Sequence, residues 1–296
     1  MFFALPRMPK LRIVYFSSRP SSLTNVAARG LLEAGAELLL IVTTPGPPAR
    51  PTEAYKDVVE NKLPGVDILV TSHIRRLAPM LREMKLDLIF VTGFPWRLPA
   101  ELVSLPRLGS INTHPAVLPR YRGPNPVFWQ MMNGESEVGM TIHRMDTEFD
   151  TGSILAQATM PIDPDWYIED LEMALGQLGA MVVPKAFAAV LAGEPGTPQP
   201  AEGASYAPLT TDADRKLDWT RPAVQLRNQV RAWGREGAVG EIDGRQWIVR
   251  RARVVERGGA KAEVGGLVEL GLQGRAVQTG DGLLLLEDAE PLAAGE

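Results

Sequence analysis

The stretch LRIVYFSSRPSSLTNVAARGLLEAGAELLLIVTT, Leu11–Thr44, reads as strand, helix, strand. Its first six residues are an apolar, β-branched run of the kind that forms a strand buried on both faces. SSLTNVAARGLLEAG then spaces its apolar residues at the helical period and ends on Gly35, where a C-cap glycine belongs. AELLLIVTT is the second strand, closed by the turn-forming PGPPARP. Downstream, VDILVT (Val66–Thr71) and LDLIFVTG (Leu86–Gly93) repeat the buried-strand pattern. This rhythm predicts an α/β fold, a Rossmann-like open and mostly parallel sheet whose ligands bind beyond the carboxyl ends of the strands. The loop SSRPSSLTN lacks the G-x-G-x-x-G spacing, so the first strand–helix turn carries no dinucleotide fingerprint.

Beyond Gly93, EVGMTIHRM (Glu137–Met145) reads as a strand, and residues 168–193 as one long helix with Pro184 inside it. The Pro/Gly-rich EPGTPQPAEGAS follows and is the best linker candidate. The expected organisation is a catalytic domain over residues 1–194, a linker over 195–205 and a β-rich domain over 206–296. In the last of these, GEIDGRQWIVRRARVV (Gly240–Val255) and RAVQTGDGLLLLED (Arg275–Asp288) each carry a D-G turn and predict hairpins.

The 296 residues suffice for two domains, and the chain has no cysteine, which rules out disulfides, thiolate metal sites and a cysteine nucleophile. No run approaches 18 uninterrupted apolar residues, so the expectation is a cytoplasmic, soluble protein with no membrane partner. Three scattered histidines make a poor ligand set, and no metal is expected. The net charge of -4 conceals a basic segment: between Arg215 and Lys261 twelve basic residues face five acidic ones, a net of +7. An anionic partner such as RNA and a solvated basic face are equally good readings of that segment. The oligomeric state is not legible.

The candidate chemistry lies in INTHPAVLPRYRGPNPVFWQ, Ile111–Gln130. Asn112 and His114 are two apart, so on an extended segment both side chains share a face. Asp150 follows 36 residues after His114, just before Gly152. A carboxamide that donates to an oxyanion, an imidazole that moves protons and a carboxylate that orients it form an acyl-transfer set. Spacing alone leaves structural turn residues as the better reading.

The combination of Asn112-x-His114, VLPRYRG (Val117–Gly123) and the Asp150-Thr151-Gly152 turn resembles the folate-dependent formyltransferase family. SYAPLTTDADRKLDW, RARVV and TGDGLLLLEDAEPL look like the OB-like carboxyl-terminal domain of its methionyl-tRNA formyltransferase members. The resemblance implies a 10-formyltetrahydrofolate-dependent N-formyltransferase, a one-carbon transferase that moves the formyl group to a primary amine. It implies that Asn112, His114 and Asp150 are catalytic, with Asn112 and protonated His114 stabilising the oxyanion. By position it puts the folate against FPWRLP and DTEFD, namely Phe94, Trp96, Arg97, Leu98, Asp146 and Thr147. Packing and folate contact are equal readings of Trp96.

His143 is read equally as functional or merely buried, and His73 as a surface or loop residue. Methionyl-tRNA and a small amine such as an amino sugar come out level as acceptors. Against tRNA stand a loop, Thr43–Asp57, with only Arg50 and Lys56 as cations, the residue Pro115, and AWGREGAVGEI (Ala232–Ile242), which lacks a Pro-Trp-Pro stretch. A different class, a catalytically silent folate- or RNA-binding paralogue, is the alternative.

Overall fold

The computed structural model describes residues 10–33, 35–46, 53–255 and 262–292. Most of the turn that follows the second strand, with Arg50, therefore lies outside the described residues, as do Glu256, Arg257 and Lys261 of the basic segment. The chain's contacts divide it into two compact units. The first comprises Met1–Pro124, Gly139–Met160 and Met173–Tyr206, and the second Asn125–Val138, Pro161–Glu172 and Ala207–Glu296.

The first unit is built on a seven-stranded sheet in the order β3-β2-β1-β4-β5-β6-β7. Its strands are β1 (Arg12–Ser17), β2 (Glu37–Thr43), β3 (Ile68–Val70), β4 (Leu88–Thr92), β5 (Ser110–His114), β6 (Glu137–Arg144) and β7 (Ile154–Pro161). β1 to β5 pair in parallel, and β6 runs antiparallel to β5. Strand alternation sends Val14 and Phe16 of β1 into one core with Ile89 and Val91 of β4, covered by Leu77, Leu81 and Leu102 from the segments after β3 and β4. On the opposite face Tyr15 meets Phe90, and Phe90 meets Phe187 of the helix Ile168–Leu191 edge-on. That helix is long and apolar enough to cross a membrane, yet half of the apolar stretch is buried within the protein, Val182, Val183 and Val190 fully among it.

The helix predicted after β1 spans Ser21–Glu33, and Gly35 closes it at φ 84° with its N–H on the Leu32 carbonyl. The strand order reverses between β1 and β4, so the crevice beyond their carboxyl ends is the position where open α/β sheets hold ligands.

The residues read as a linker are hydrogen-bonded into this unit. Thr197 bridges to Ile154, Tyr206 to Arg122, and the Ser205 carbonyl accepts from the Arg122 N–H. Proline and glycine there mark an irregular path, not a free one.

The second unit holds an antiparallel sheet ordered β10-β11-β12-β9-β8, from β8 (Ala238–Ile242), β9 (Arg245–Val255), β10 (Leu267–Glu269), β11 (Arg275–Gln278) and β12 (Leu283–Pro291). The β8–β9 hairpin turns at Asp243 and Gly244, both at positive φ, as a two-residue D-G turn requires. Its core gathers Trp219, Leu226, Val249 and Leu284 around Tyr167. The short excursion Pro161–Glu172 thus supplies a central residue, whose hydroxyl accepts from the Ala252 N–H.

Part of the basic segment is engaged inside this unit. Arg250 reaches Asp288 and Glu290, Arg253 reaches Glu287, and Arg227 reaches Asp165. Arg231, 5% exposed, donates to the Asp163 and Trp166 carbonyls, and Arg251 lies over the Tyr167 ring. The partner acids sit on β12 and on the Pro161–Glu172 excursion, outside the sequence window that made the segment look unbalanced.

Candidate active site

Asn112 and His114 are alternate residues at the end of β5, and pairing sets His143 of β6 directly opposite Asn112. The turn that follows carries Tyr121 at φ 58° and Gly123, and the loop between β6 and β7 carries Asp150 at φ 56°. That conformation is uncommon for any residue with a side chain, although Asp tolerates it better than most. The loop is fastened two residues later. A Cβ on Gly152 would stand 1.9 Å from the Arg144 carbonyl oxygen, so only glycine fits.

Asp150 is the hub. Its Oδ1 accepts from Asn112 Nδ2 at 3.2 Å, and its Oδ2 accepts from the Gly123 N–H at 2.8 Å. His114 Nδ1 lies 3.5 Å from Oδ2, and His143 Nε2 lies 3.4 Å from Oδ1. All three are buried: His114 is 3% exposed, His143 2% and Asp150 8%. Burial pushes the Asp150 pKa up, but the attraction of His114, the His143 contact and the Gly123 N–H together outweigh it and hold the carboxyl at about 2. At His114 burial wins instead. Desolvation lowers its pKa, against the opposing pull of Asp150 and of the Tyr121 carbonyl.

The ring nitrogens are assigned by what faces them. His114 Nε2 is 2.7 Å from the Tyr121 carbonyl, which can only accept, so Nε2 carries a hydrogen. In the neutral ring Nδ1 is then a lone pair facing a carboxylate. That is a poor arrangement, and protonation of Nδ1 repairs it. His143 Nδ1 donates to the Arg144 carbonyl at 2.8 Å, which leaves Nε2 to accept from Asn112 Nδ2 at 3.2 Å. When His143 is protonated, Nε2 becomes a donor toward Asp150. Both amide hydrogens of Asn112 are thereby engaged, one by Asp150 and one by His143.

A model described as formyl transferase matches residues 36–187, and one described as formyl transferase, C-terminal domain, matches residues 210–294. This chain belongs to the formyltransferase family. The methionyl-tRNA formyltransferase of Geobacter sulfurreducens is 33% identical over 292 residues, 96% of this chain and 90% of that protein. The enzyme of the same name from Symbiobacterium thermophilum is 36% identical over 279 residues, 90% and 84%. Two solved structures share the fold. The N-formyltransferase from Helicobacter canadensis in complex with folinic acid and dTDP-3-aminofucose has a TM-score of 0.68 at 16% identity, covering 96% of this chain and 100% of that one. HypX from Aquifex aeolicus in complex with tetrahydrofolic acid has a TM-score of 0.69 at 20% identity, covering 96% of this chain and 45% of that one. The chain is accordingly an enzyme of formyl transfer.

The folate-contact residues expected from sequence occupy the β4 and β6 loops of this formyltransferase. Phe94 packs edge-on against Phe16, and Trp96 leans on the same core with its buried indole N–H unpartnered among the described residues. Arg97 and Thr147 are exposed and share a cavity of about 230 Å³ with Arg75, Leu98, Pro99 and Ala100. Leu98 is 2% exposed, so its side chain belongs to the core and only its backbone is on offer. Asp146 accepts from the Thr151 hydroxyl and the Glu148 N–H, which shapes the turn before Asp150. His73 is exposed. Sequence reasoning missed the Tyr121 carbonyl and Gln199, and it left His143 undecided, although alternation along β6 already placed that residue on one face with Thr141.

Proposed function

We propose that this formyltransferase moves the formyl group of 10-formyltetrahydrofolate to the primary amine of methionyl-tRNA, with Asn112, His114 and Asp150 as its catalytic residues. The observation that carries the chemistry is the buried cluster at the end of β5, in which a carboxamide and an imidazole converge on one carboxylate. The acceptor rests on the relatives, named methionyl-tRNA formyltransferases, whose likeness runs through both matched segments. The proposed organisation is a catalytic domain over 1–194, a connection over 195–205 and a carboxyl-terminal domain over 206–296, in a cytoplasmic protein.

In this reading the donor lies against the backbone of Phe94–Leu98 and Asp146–Thr147. The Trp96 N–H is an unspent donor for it, and Arg75 and Arg97 suit its carboxylates. The neutral amine attacks the formyl carbon, a C–N bond forms, and the carbonyl oxygen takes the negative charge. Asn112 donates to that oxygen with the hydrogen it otherwise gives to His143. Releasing that one leaves a neutral nitrogen without its partner, whereas releasing the other would weaken a buried carboxylate. His114, neutral at rest because burial lowers its pKa, takes the amine proton and becomes the imidazolium that Asp150 stabilises. The protonated form expected from sequence thus arises during the reaction. The bond to N10 of the folate then breaks, and N10 recovers the proton.

A second reading, a small amine such as an amino sugar, is favoured by the cations. Among the described residues Lys56 is paired with Glu53, and Arg227, Arg250 and Arg253 with acids, which withdraws these four from phosphate. Labelled 10-formyltetrahydrofolate offered to charged initiator tRNA and to amino-sugar nucleotides separates the two. Label in methionyl-tRNA, lost in His114→Ala, supports the proposal. Label only in the sugar pool overturns the acceptor, and label in neither, with folate bound, makes the chain a silent paralogue.

A further inference from the structure

Gln199 lies in the Pro/Gly-rich stretch between the helix Ile168–Leu191 and the second unit, where a polar residue carries no signal of its own. Its side chain nevertheless spends its whole hydrogen-bonding capacity on the active-site loops. Nε2 donates to the Asp150 carbonyl and to the Gly152 carbonyl, each at 2.8 Å. Oε1 accepts from Arg122 Nε at 3.0 Å and from Arg122 Nη2 at 2.7 Å. Two donors and two lone pairs are what a carboxamide has.

These bonds close a ring. Arg122 precedes Gly123, whose N–H donates to Asp150 Oδ2, and Gln199 holds the backbone of Asp150 from the other side. The same stretch anchors the turn one residue earlier, where the Tyr121 N–H donates to Ser205 Oγ and the Tyr121 carbonyl accepts from His114 Nε2. Asp150 stands at φ 56°, a conformation its own sequence does not favour, so something outside the loop has to hold it. We propose that Gln199 is a positioning residue of this formyltransferase: by bonding the carbonyls of Asp150 and Gly152 to Arg122, it sets the carboxylate of Asp150 against His114.

The proposal rests on the catalytic reading of Asp150 and His114, and its test has one readout that needs no turnover. Gln199→Met keeps the length and removes every bond. Gln199→Glu keeps acceptors for Arg122 but cannot donate to the two carbonyls, so it guards against a Met variant that fails to fold. The control Asp87→Asn disturbs the opposite end of β4, where Asp87 accepts from the Arg12 N–H and from Arg107, and it leaves turnover unchanged. In the full chain, kcat falls on the order of 10²-fold in both Gln199 variants, the scale of an ångström's misplacement, while the KM for the folate is unchanged. In Gln199→Met the His114 titration, followed by NMR of labelled histidine, moves to lower pH because the attraction of Asp150 weakens. Loss of turnover with the His114 titration unmoved, or a fall no greater than in Asp87→Asn, overturns the proposal. A titration shifted in Gln199→Met, when the wild-type chain itself formylates nothing, retains the positioning role and refutes the catalytic reading instead.

Discussion

Replacing Asp150 with Asn removes a charge while nearly preserving shape, which makes it the cleanest perturbation of the cluster. The carboxyl is held at about 2 against an ordinary value of 3.8, and at 1.36 kcal/mol per pH unit that difference is worth roughly 2 kcal/mol. The pKa is depressed in the folded state, so the stabilisation is fully present above the unfolded value. It fades as the pH falls toward 2, with about half of it left at pH 3. At pH 7 the variant should therefore unfold about 4–8 °C lower in calorimetry, given about 2–4 °C per kcal/mol for a unit of this size. The gap should narrow steadily between pH 4 and pH 2. A gap of equal size at pH 7 and pH 3 would refute the reasoning, because the loss would then come from shape and not from charge. Turnover should fall about 10²–10⁴-fold at the same time, since His114 loses the group that stabilises its charged form.

In the resting enzyme the His114 resonance should titrate below 6.5, and a midpoint above that value would show that the Asp150 carboxylate outweighs burial. Asn112→Ala should lower kcat about 10²–10³-fold with folate affinity retained, the cost of removing one oxyanion donor; an equal rise in the KM for the folate would make it a binding residue. Gly152→Ala should cost about 3 kcal/mol or more, read from the melting temperature, because its methyl group meets the Arg144 carbonyl; a melting temperature within 2 °C of wild type would contradict the geometry.

What could be read in the sequence depended on how far each signal reaches along the chain. β1, β2 and β4 were legible because burial on both faces writes itself into consecutive residues such as Ile13–Phe16, and Gly35 was legible because a helix end needs a positive φ locally. Asn112 and His114 declared their common face through period-2 alternation. Asp150 could not be joined to them by any local rule, since the distance between β5 and the β6–β7 loop is a property of strand pairing. It was reached through the family's motif spacing. The charge count left the basic segment open for the same reason in reverse. Arg250 and Arg253 look unopposed within residues 215–261, yet antiparallel pairing of β9 with β12 sets Glu287, Asp288 and Glu290 beside them. An excess of one charge along a segment thus says little about a surface until the strands across from it are known. Gln199 is the extreme case. A glutamine in a proline-rich stretch is ordinary in one dimension, and its meaning lies wholly in the two carbonyls and the guanidinium that folding brings to it. A buried carboxylate held in an unfavourable backbone conformation implies such a partner somewhere, so the left-handed φ of Asp150 is the feature that leads back to the segment the sequence had marked as connection.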